Sequence, residues 1–337
     1  MVIAKKVIGS IGSLVPLHIL FKYYWSDCIV LTYHSLASLD AAPEINKNPY
    51  RTASAFSEDI KFIKNNFNVL NLREFLEISS KEGKFPEKSL LITFDDGLAI
   101  QYDHMYPILR SHNLPATFFI NNAFIDNQDL HYERKKYIIL RKLDELQDNS
   151  LERKISKTVS KEHTDEFNLK DFIHHLKYKS KSTLDAIAGE LDISFADYLR
   201  ENKIYLTTQQ IEILLKNNIT IGGHSIDHPD YTELSLADQV DQTLSSVNDL
   251  ASRFQLDYKA FAFPYNDRAL DTALFERISD SIDVSFGSSD LARDELRMHF
   301  QRGSIDNSTQ SFNRAMAAIF GKYYAHRLTG KHIIKRY

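Results

Sequence analysis

Short runs of consecutive apolar residues recur along the chain: CIVLTY (28–33), FNVL (67–70), LLITF (90–94), PATFFI (115–120), ITIG (219–222), AFAF (260–263) and DVSF (283–286). Between them lie segments whose apolar positions repeat with helical spacing, such as AFSEDIKFIKNNF and LTTQQIEILLKNN. Continuous apolar strands separated by amphipathic helices predict a parallel sheet buried on both faces. About seven such units predict an α/β chain folded as a distorted (β/α) barrel, whose working residues sit at the carboxyl ends of the strands. ITFDDG, ITIGGHS and FAFPYN all place polar groups there.

One stretch departs from the alternation. Residues 126–204 contain no proline and a single glycine, Gly189, with apolar residues at helical spacing (Leu140, Leu143 and Leu146; Leu184, Ile187 and Leu191). This predicts a helical insertion between two barrel strands, with a lid or a partner surface as its use. Its His174–His175 pair occupies adjacent helix positions that do not face each other, which reads as a solvated face.

The two ends carry less pattern. Residues 1–27 open with Lys5 and Lys6 before an apolar stretch interrupted by Gly9, Gly12, Pro16 and His18. That falls short of the ~20 apolar residues of a membrane span, and no small-x-small cleavage site follows. The expectation is a packed or membrane-adjacent helix on a chain that keeps Met1 or Val2 on the cytoplasmic side, with export as the alternative. Residues 311–337 are basic with interleaved aromatics, and read as a C-terminal helix or solvated tail, or a peripheral contact with an anionic membrane.

Composition narrows the classes. The chain has 337 residues, 43% of them hydrophobic and 12% aromatic, enough to bury a large core. Its formal net charge of -4 gives no global field for polyanions, so no nucleic-acid partner is expected. The lone Cys28 can form neither an internal disulfide nor a thiolate metal site, and reads as a buried hydrophobe.

The adjacent carboxylates of Asp95 and Asp96, at the end of an apolar strand, need a compensating cation or a shared proton. IGGHSIDHPDY answers that need. His224 and His228 are four apart, so on one helical turn both imidazoles face the same way, with Gly222 and Gly223 letting the backbone pass close by. An isolated HxxxH is weak, but beside a strand-end Asp pair it completes a two-His-one-carboxylate set. Asp96, His224 and His228 would leave positions open for water and substrate, as in catalytic zinc and non-haem iron sites.

TFDDG (93–97), HSIDH (224–228) and FAFPY (261–265), in that order, resemble the first three motifs of the polysaccharide deacetylase family, also called the NodB-homology or carbohydrate esterase 4 family. LTYHSL (31–36) resembles the start of a subgroup that begins with a Tyr-His strand. The resemblance runs over about 30–125 and 205–306, which places a barrel domain at 28–125 and 205–310. It implies a hydrolase of non-peptide carbon–nitrogen bonds that removes acetyl groups from an N-acetylated sugar in a surface polysaccharide, a glycolipid or a precursor. It also implies a divalent ion, zinc first among candidates, on Asp96, His224 and His228. Asp95 matches the catalytic base, and Tyr265 the residue whose backbone amide serves the oxyanion.

For the general acid, the subgroup points to His34, while His299 approximates poorly the histidine of a later family motif. Ala262 stands where members often carry an arginine that orients the catalytic aspartate. Arg302 in FQRGSID, after the last predicted strand, is either its substitute or part of a structural salt bridge. Two other readings stay open: a different amide or ester hydrolase on the same scaffold, and a catalytically weak glycan-binding or assembly protein.

Overall fold

In the computed structural model, which describes residues 17–37, 51–81, 83–146, 149–159, 168–306 and 308–336, each of the seven apolar runs holds a strand. These are β1 (Cys28–Tyr33), β2 (Asn68–Val69), β3 (Ser89–Phe94), β4 (Ala116–Ile120), β5 (Ile219–Gly223), β6 (Ala260–Ala262) and β7 (Val284–Gly287). Four short strands follow: β8 (Arg293–Asp294), β9 (His299–Gln301), β10 (Gly303–Ser304) and β11 (Ile333–Ile334).

The main sheet runs β10–β1–β3–β4–β5–β6–β7–β9, with every pairing parallel. Its two outermost members, β9 and β10, are separated only by Arg302, so one segment pairs with both β7 and β1 and brings the sheet nearly closed into a barrel. The expected barrel is present, with two differences in membership. FNVL pairs only with the start of β3, outside the ring (Asn68↔Ser89, Val69↔Leu90). The closing strand is HFQRGS, which puts Arg302 inside the ring's last strand, not beyond it.

Strands β1, β3 and β4 are buried at every position, as a sheet covered on both faces requires. Alternate residues divide between two cores. Val30, Leu91, Phe119, Ala262 and Phe286 share one cluster, joined by Phe75 from the helix Leu72–Ser80. Leu31, Ile92, Phe118 and Ile221 belong to another, packed with helix residues such as Phe56, Ile60 and Leu214. The helices begin where side chains can cap them: Asn71 with Glu74 and Thr207 with Gln210 form capping boxes, and Ser235 caps Leu236–Phe254.

The chain divides into two compact units. The larger contains, among the described residues, 17–37, 51–126 and 205–336, and with them every strand. The second, 127–204, is helical, with Tyr132–Leu146, Asn149–Val159, Leu169–His175, Lys181–Glu190 and Phe195–Glu201 around a core that includes Ile139, Leu143, Ile173, Leu184 and Ile187. The stripe of its first helix runs through Ile139 and Leu143; Leu140 is half-buried and Leu146 exposed, off the predicted face. His174 and His175 are exposed.

At the ends, residues 1–16 of the N-terminal segment lie outside the described residues. The helix Leu17–Lys22 buries Leu20 and sets Phe21 against Phe67 and Phe320. The solvated-tail reading of 311–337 does not hold. The helix Phe312–Leu328 buries Phe312, Met316, Ile319, Phe320 and Tyr323 in the core of the larger unit. Its apolar positions face more than one neighbour, so no amphipathic stripe announces it. Among the described residues no helix is long and apolar enough to cross a membrane.

Candidate active site

Strand register brings the chemistry together. Tyr33 is paired with Phe94, and Ile120 with Gly223, so His34, Asp95, Asn121 and His224 leave their strands side by side at the carboxyl rim. Gln101, fully buried on a π-helical turn (Gln101–Met105), donates through Nε2 to the carbonyls of both His34 and Asp95. Asn121 likewise holds the carbonyl of His224.

Asp95 is buried, and Arg302 grips it with two parallel bonds of 2.7 Å, Nη1 to Oδ1 and Nη2 to Oδ2. The guanidinium also donates to Gly287 O (3.1 Å) and Thr93 Oγ1 (3.2 Å), and lies 5.4 Å from the centroid of the Phe119 ring. Ala262 is fully buried in the same cluster as Phe119. A small residue at 262 and an arginine at 302 are thus complementary, and the cation missing from one strand arrives from another. Burial alone would raise the Asp95 carboxyl; Arg302, with His224 and His34 adding, reverses this and holds it below the usual carboxylate value.

His34 Nδ1 is 2.8 Å from Asp306 Oδ2, which also accepts the His34 backbone N–H, and His34 Nε2 stands 3.8 Å from Asp95 Oδ2. Burial opposes charging the ring, but Asp306, followed by Asp96 and Asp95, raises it to about 9. The segment after Asp306 is fastened in turn. Buried Arg51 donates to the carbonyls of Ser308 (2.8 Å) and Gln310 and pairs with Asp59, which Tyr33 also reaches.

Asp96 Oδ1 faces His224 Nε2 at 3.5 Å and His228 Nε2 at 3.3 Å. Ligands about 2.1 Å from a common four-coordinate ion stand about 3.4 Å apart, so these spacings suit one divalent ion. Two further observations agree. Asp96 Oδ1 is buried without a hydrogen-bond partner. The other nitrogen of His224, Nδ1, donates to Ala262 O at 2.7 Å, leaving a lone pair on Nε2 for the ion.

The two histidines do not share a helical turn, as their spacing had suggested. They are brought together by a loop in which Ser225 (φ 68°) and His228 (φ 62°) are left-handed, with Ser225 Oγ accepting the His228 N–H at 2.9 Å. Asp96 (φ 74°) and Tyr265 (φ 54°) share that conformation, which non-glycine residues keep only where the surroundings impose it. Gly222 and Gly223 serve packing instead of access to the ion. A Cβ on Gly222 would lie 2.6 Å from the Phe119 ring and 2.8 Å from Ala260 O, and one on Gly223 2.6 Å from Ser246 Oγ. Tyr265 is 41% exposed, and its ring centroid lies 4.8 Å from that of His228.

His299 is not brought to Asp95. It is buried with Nε2 2.8 Å from Asp267 Oδ2 and Nδ1 2.7 Å from Ser285 Oγ. Sequence reasoning also missed Gln101, Asn121 and Asp306. The last follows the closing strand, and recognising HFQRGS as a strand would have put SID at the carboxyl rim beside LTYH.

Residues 82–277 match the sequence profile of the family described as Polysaccharide deacetylase. The poly-beta-1,6-N-acetyl-D-glucosamine N-deacetylase of Staphylococcus aureus (strain MSSA476) is 33% identical over 121 residues, covering 33% of this chain and 41% of that protein. The protein of the same name from Staphylococcus epidermidis is 30% identical over 141 residues, covering 39% and 47%. The match thus spans less than half the length of these curated relatives. Among solved structures, the Streptococcus pyogenes deacetylase PplD in complex with acetate aligns with a TM-score of 0.54 at 15% identity, covering 86% of this chain and 97% of that one. IcaB from Ammonifex degensii aligns with a TM-score of 0.52 at 13% identity, covering 88% and 98%. At these identities the likeness is one of fold.

Proposed function

The chain belongs to the polysaccharide deacetylase family, and from that premise we propose that it is a metal-dependent N-deacetylase that hydrolyses the acetamide of an N-acetylated glycan to acetate and a free amine. The convergence of Asp95, Asp96, His34, His224 and His228 at one rim carries this reading. A divalent ion on Asp96, His224 and His228, zinc first among candidates, supplies Lewis-acid polarisation of a carbonyl and acidifies water.

The chain's own residues do the rest. Asp95 keeps lone pairs beyond those given to Arg302 and takes a proton from the water that attacks the acetamide carbon. The backbone N–H of Tyr265, whose ring packs against His228, donates to the oxyanion that forms. His34 keeps its Nδ1 proton on Asp306, and its Nε2 proton passes to the departing nitrogen as the carbon–nitrogen bond breaks. The Asp306 carboxylate on Nδ1 favours the protonated ring, which suits His34 to that transfer.

The first substrates to test are oligomers of β-1,6-linked N-acetylglucosamine, the glycan in the names of the curated relatives. Acetate release from them, abolished by a chelator and restored by a divalent ion, is the expected result. Release unaffected by metal removal would overturn the metal-dependent reading. Hydrolysis of esters alone would favour a different acyl hydrolase, and glycan binding with no acetate release an assembly role.

Peripheral contact with an anionic membrane belongs to the same proposal. It is supported by exposed Tyr23, Trp25 and Leu328 beside Lys22 and Arg327, whose Nη1 donates to Tyr23 O at 3.0 Å. Co-sedimentation with anionic but not neutral vesicles is the expected outcome; equal recovery with both removes the contact.

A further inference from the structure

Asp267, Asp294 and His299 converge closely enough to hold a cation, and the cation among them is the guanidinium of Arg336. Its Nη2 lies 2.6 Å from Asp267 Oδ2 and 2.7 Å from Asp294 Oδ2, and its Nε 3.1 Å from Asp294 Oδ1. Its Nη1 donates to the carbonyls of Asp267 (2.8 Å) and Leu270 (3.4 Å), and its Cζ is 4.1 Å from the centroid of the Phe275 ring. The side chains of Arg336, Asp267 and Asp294 have no exposed surface. Arg336 arrives on a segment whose Ile333 and Ile334 pair with β8.

A fully buried ion pair adds little net stability compared with apolar packing of the same volume, so its use is sought in what it holds in place. Asp267 lies two residues after Tyr265. Its Oδ1 accepts the Ser288 N–H at 3.1 Å, and Ser288 Oγ donates to the Tyr265 carbonyl. Tyr265 is left-handed, a conformation that a bulky residue keeps only under constraint. Asp267 Oδ2 also accepts Gln301 Nε2 at 2.8 Å and faces His299 Nε2 at 2.8 Å, both on the strand that continues into Arg302. The guanidinium thus holds the two aspartates, Asp267 and Asp294, through which the Tyr265 loop is tied to the strand bearing the partner of Asp95.

We propose that Arg336 is a positioning residue for the hydrolysis: lodged between Asp267 and Asp294, it sets the Tyr265 amide and the Arg302–Asp95 pair in their working geometry. This rests on the deacetylase reading of Asp95 and Tyr265, which acetate release by the unaltered chain tests separately.

The experiment compares the full chain with Arg336→Ala and Arg336→Lys. Three readouts are expected of the alanine variant: metal content equal to the unaltered chain, KM changed by less than about threefold, and kcat lowered about tenfold to hundredfold, as a misplaced but intact site gives. Arg336→Lys restores the charge without the fork and should fall between. Guanidinium at sub-denaturing concentration should recover part of the alanine variant's kcat, which a merely structural loss would not allow. Backbone amides of 264–270 should exchange faster in the variant.

Unchanged kcat in folded Arg336→Ala, or unchanged exchange over 264–270, overturns the proposal. Should the alanine variant fail to fold, Arg336→Lys decides it by the same two measurements. If the unaltered chain releases no acetate, the deacetylase reading fails first, while exchange over 264–270 still tests whether Arg336 holds the loop.

Discussion

At the scale of single residues, a carboxylate sealed from water stays ionised only beside a cation, and Asp95 has two claims on one. Arg302 holds it from within the barrel, and the ion expected on Asp96 sits next to it. The two aspartates should therefore separate cleanly. Asp95→Asn is expected to keep the metal while turnover falls by about 10² to 10⁴, the worth of a general base. It should also lose about 3–5 kcal/mol of stability in urea titration, because Arg302 is left buried without its counterion. Asp96→Asn should lose metal and activity together, as should His228→Ala. Full occupancy in either would mean the ion is held elsewhere. For His34 the sign is set by its rise to about 9 from an ordinary 6.5. Its pairing with Asp306 stabilises the fold fully below about 6.5, and that contribution is lost as pH rises through about 9. Turnover of the metal-loaded chain should also fall on an alkaline limb, set at lower pH than the metal-free titration. Because Asp96 is one of the charges raising His34, loading the ion should move its NMR titration to lower pH than in chelated protein. A titration that ignores the ion would disconnect His34 from the site.

Among the elements, apolar strands were legible because a parallel strand covered on both faces can be built only from such residues. The strand that closes the ring was illegible for the converse reason. His299, Gln301 and Arg302 are polar, and they are buried because Asp267 and Asp95 arrive from distant parts of the chain to meet them, with Asp294 added from the strand just before. No local window contains Asp267 or Asp95. FNVL shows the opposite error: its composition is that of a ring strand, but only Asn68 and Val69 pair. The His224–His228 spacing identified the right residues by the wrong geometry, since spacing is silent about left-handed backbone. Gly222 offers a test of how tightly the ring is packed. Gly222→Ala forces a methyl against the Phe119 ring and the Ala260 carbonyl, and the carbonyl cannot step aside without breaking β6. The expected cost is about 1–3 kcal/mol, read as a lower urea midpoint at unchanged slope. An unaltered midpoint would show that the interior accommodates the methyl.

For the whole molecule, the question is what residues 127–204 contribute, since every residue assigned to the chemistry lies in the larger unit. The chain leaves and returns through neighbouring residues. Asp126 N donates to Leu206 O at 3.0 Å within the larger unit, while Asn127 Oδ1 accepts the Ile204 N–H at 3.2 Å within the smaller one. An insertion whose ends lie together can be removed without stretching its host, and the smaller unit has a core of its own, with Leu184 and Ile187 fully buried. Replacing 127–204 by a short Gly/Ser linker is therefore expected to leave a chain that unfolds cooperatively and binds one divalent ion. Acetate release from a small N-acetyl sugar should stay within about tenfold of the full chain, because the residues that take and give protons are unchanged. Comparison with a long glycan then locates the unit's role. A loss confined to the polymer places 127–204 in substrate contact, equal retention on both leaves it outside catalysis, and loss of the ion or of cooperative unfolding means that the two units do not fold independently.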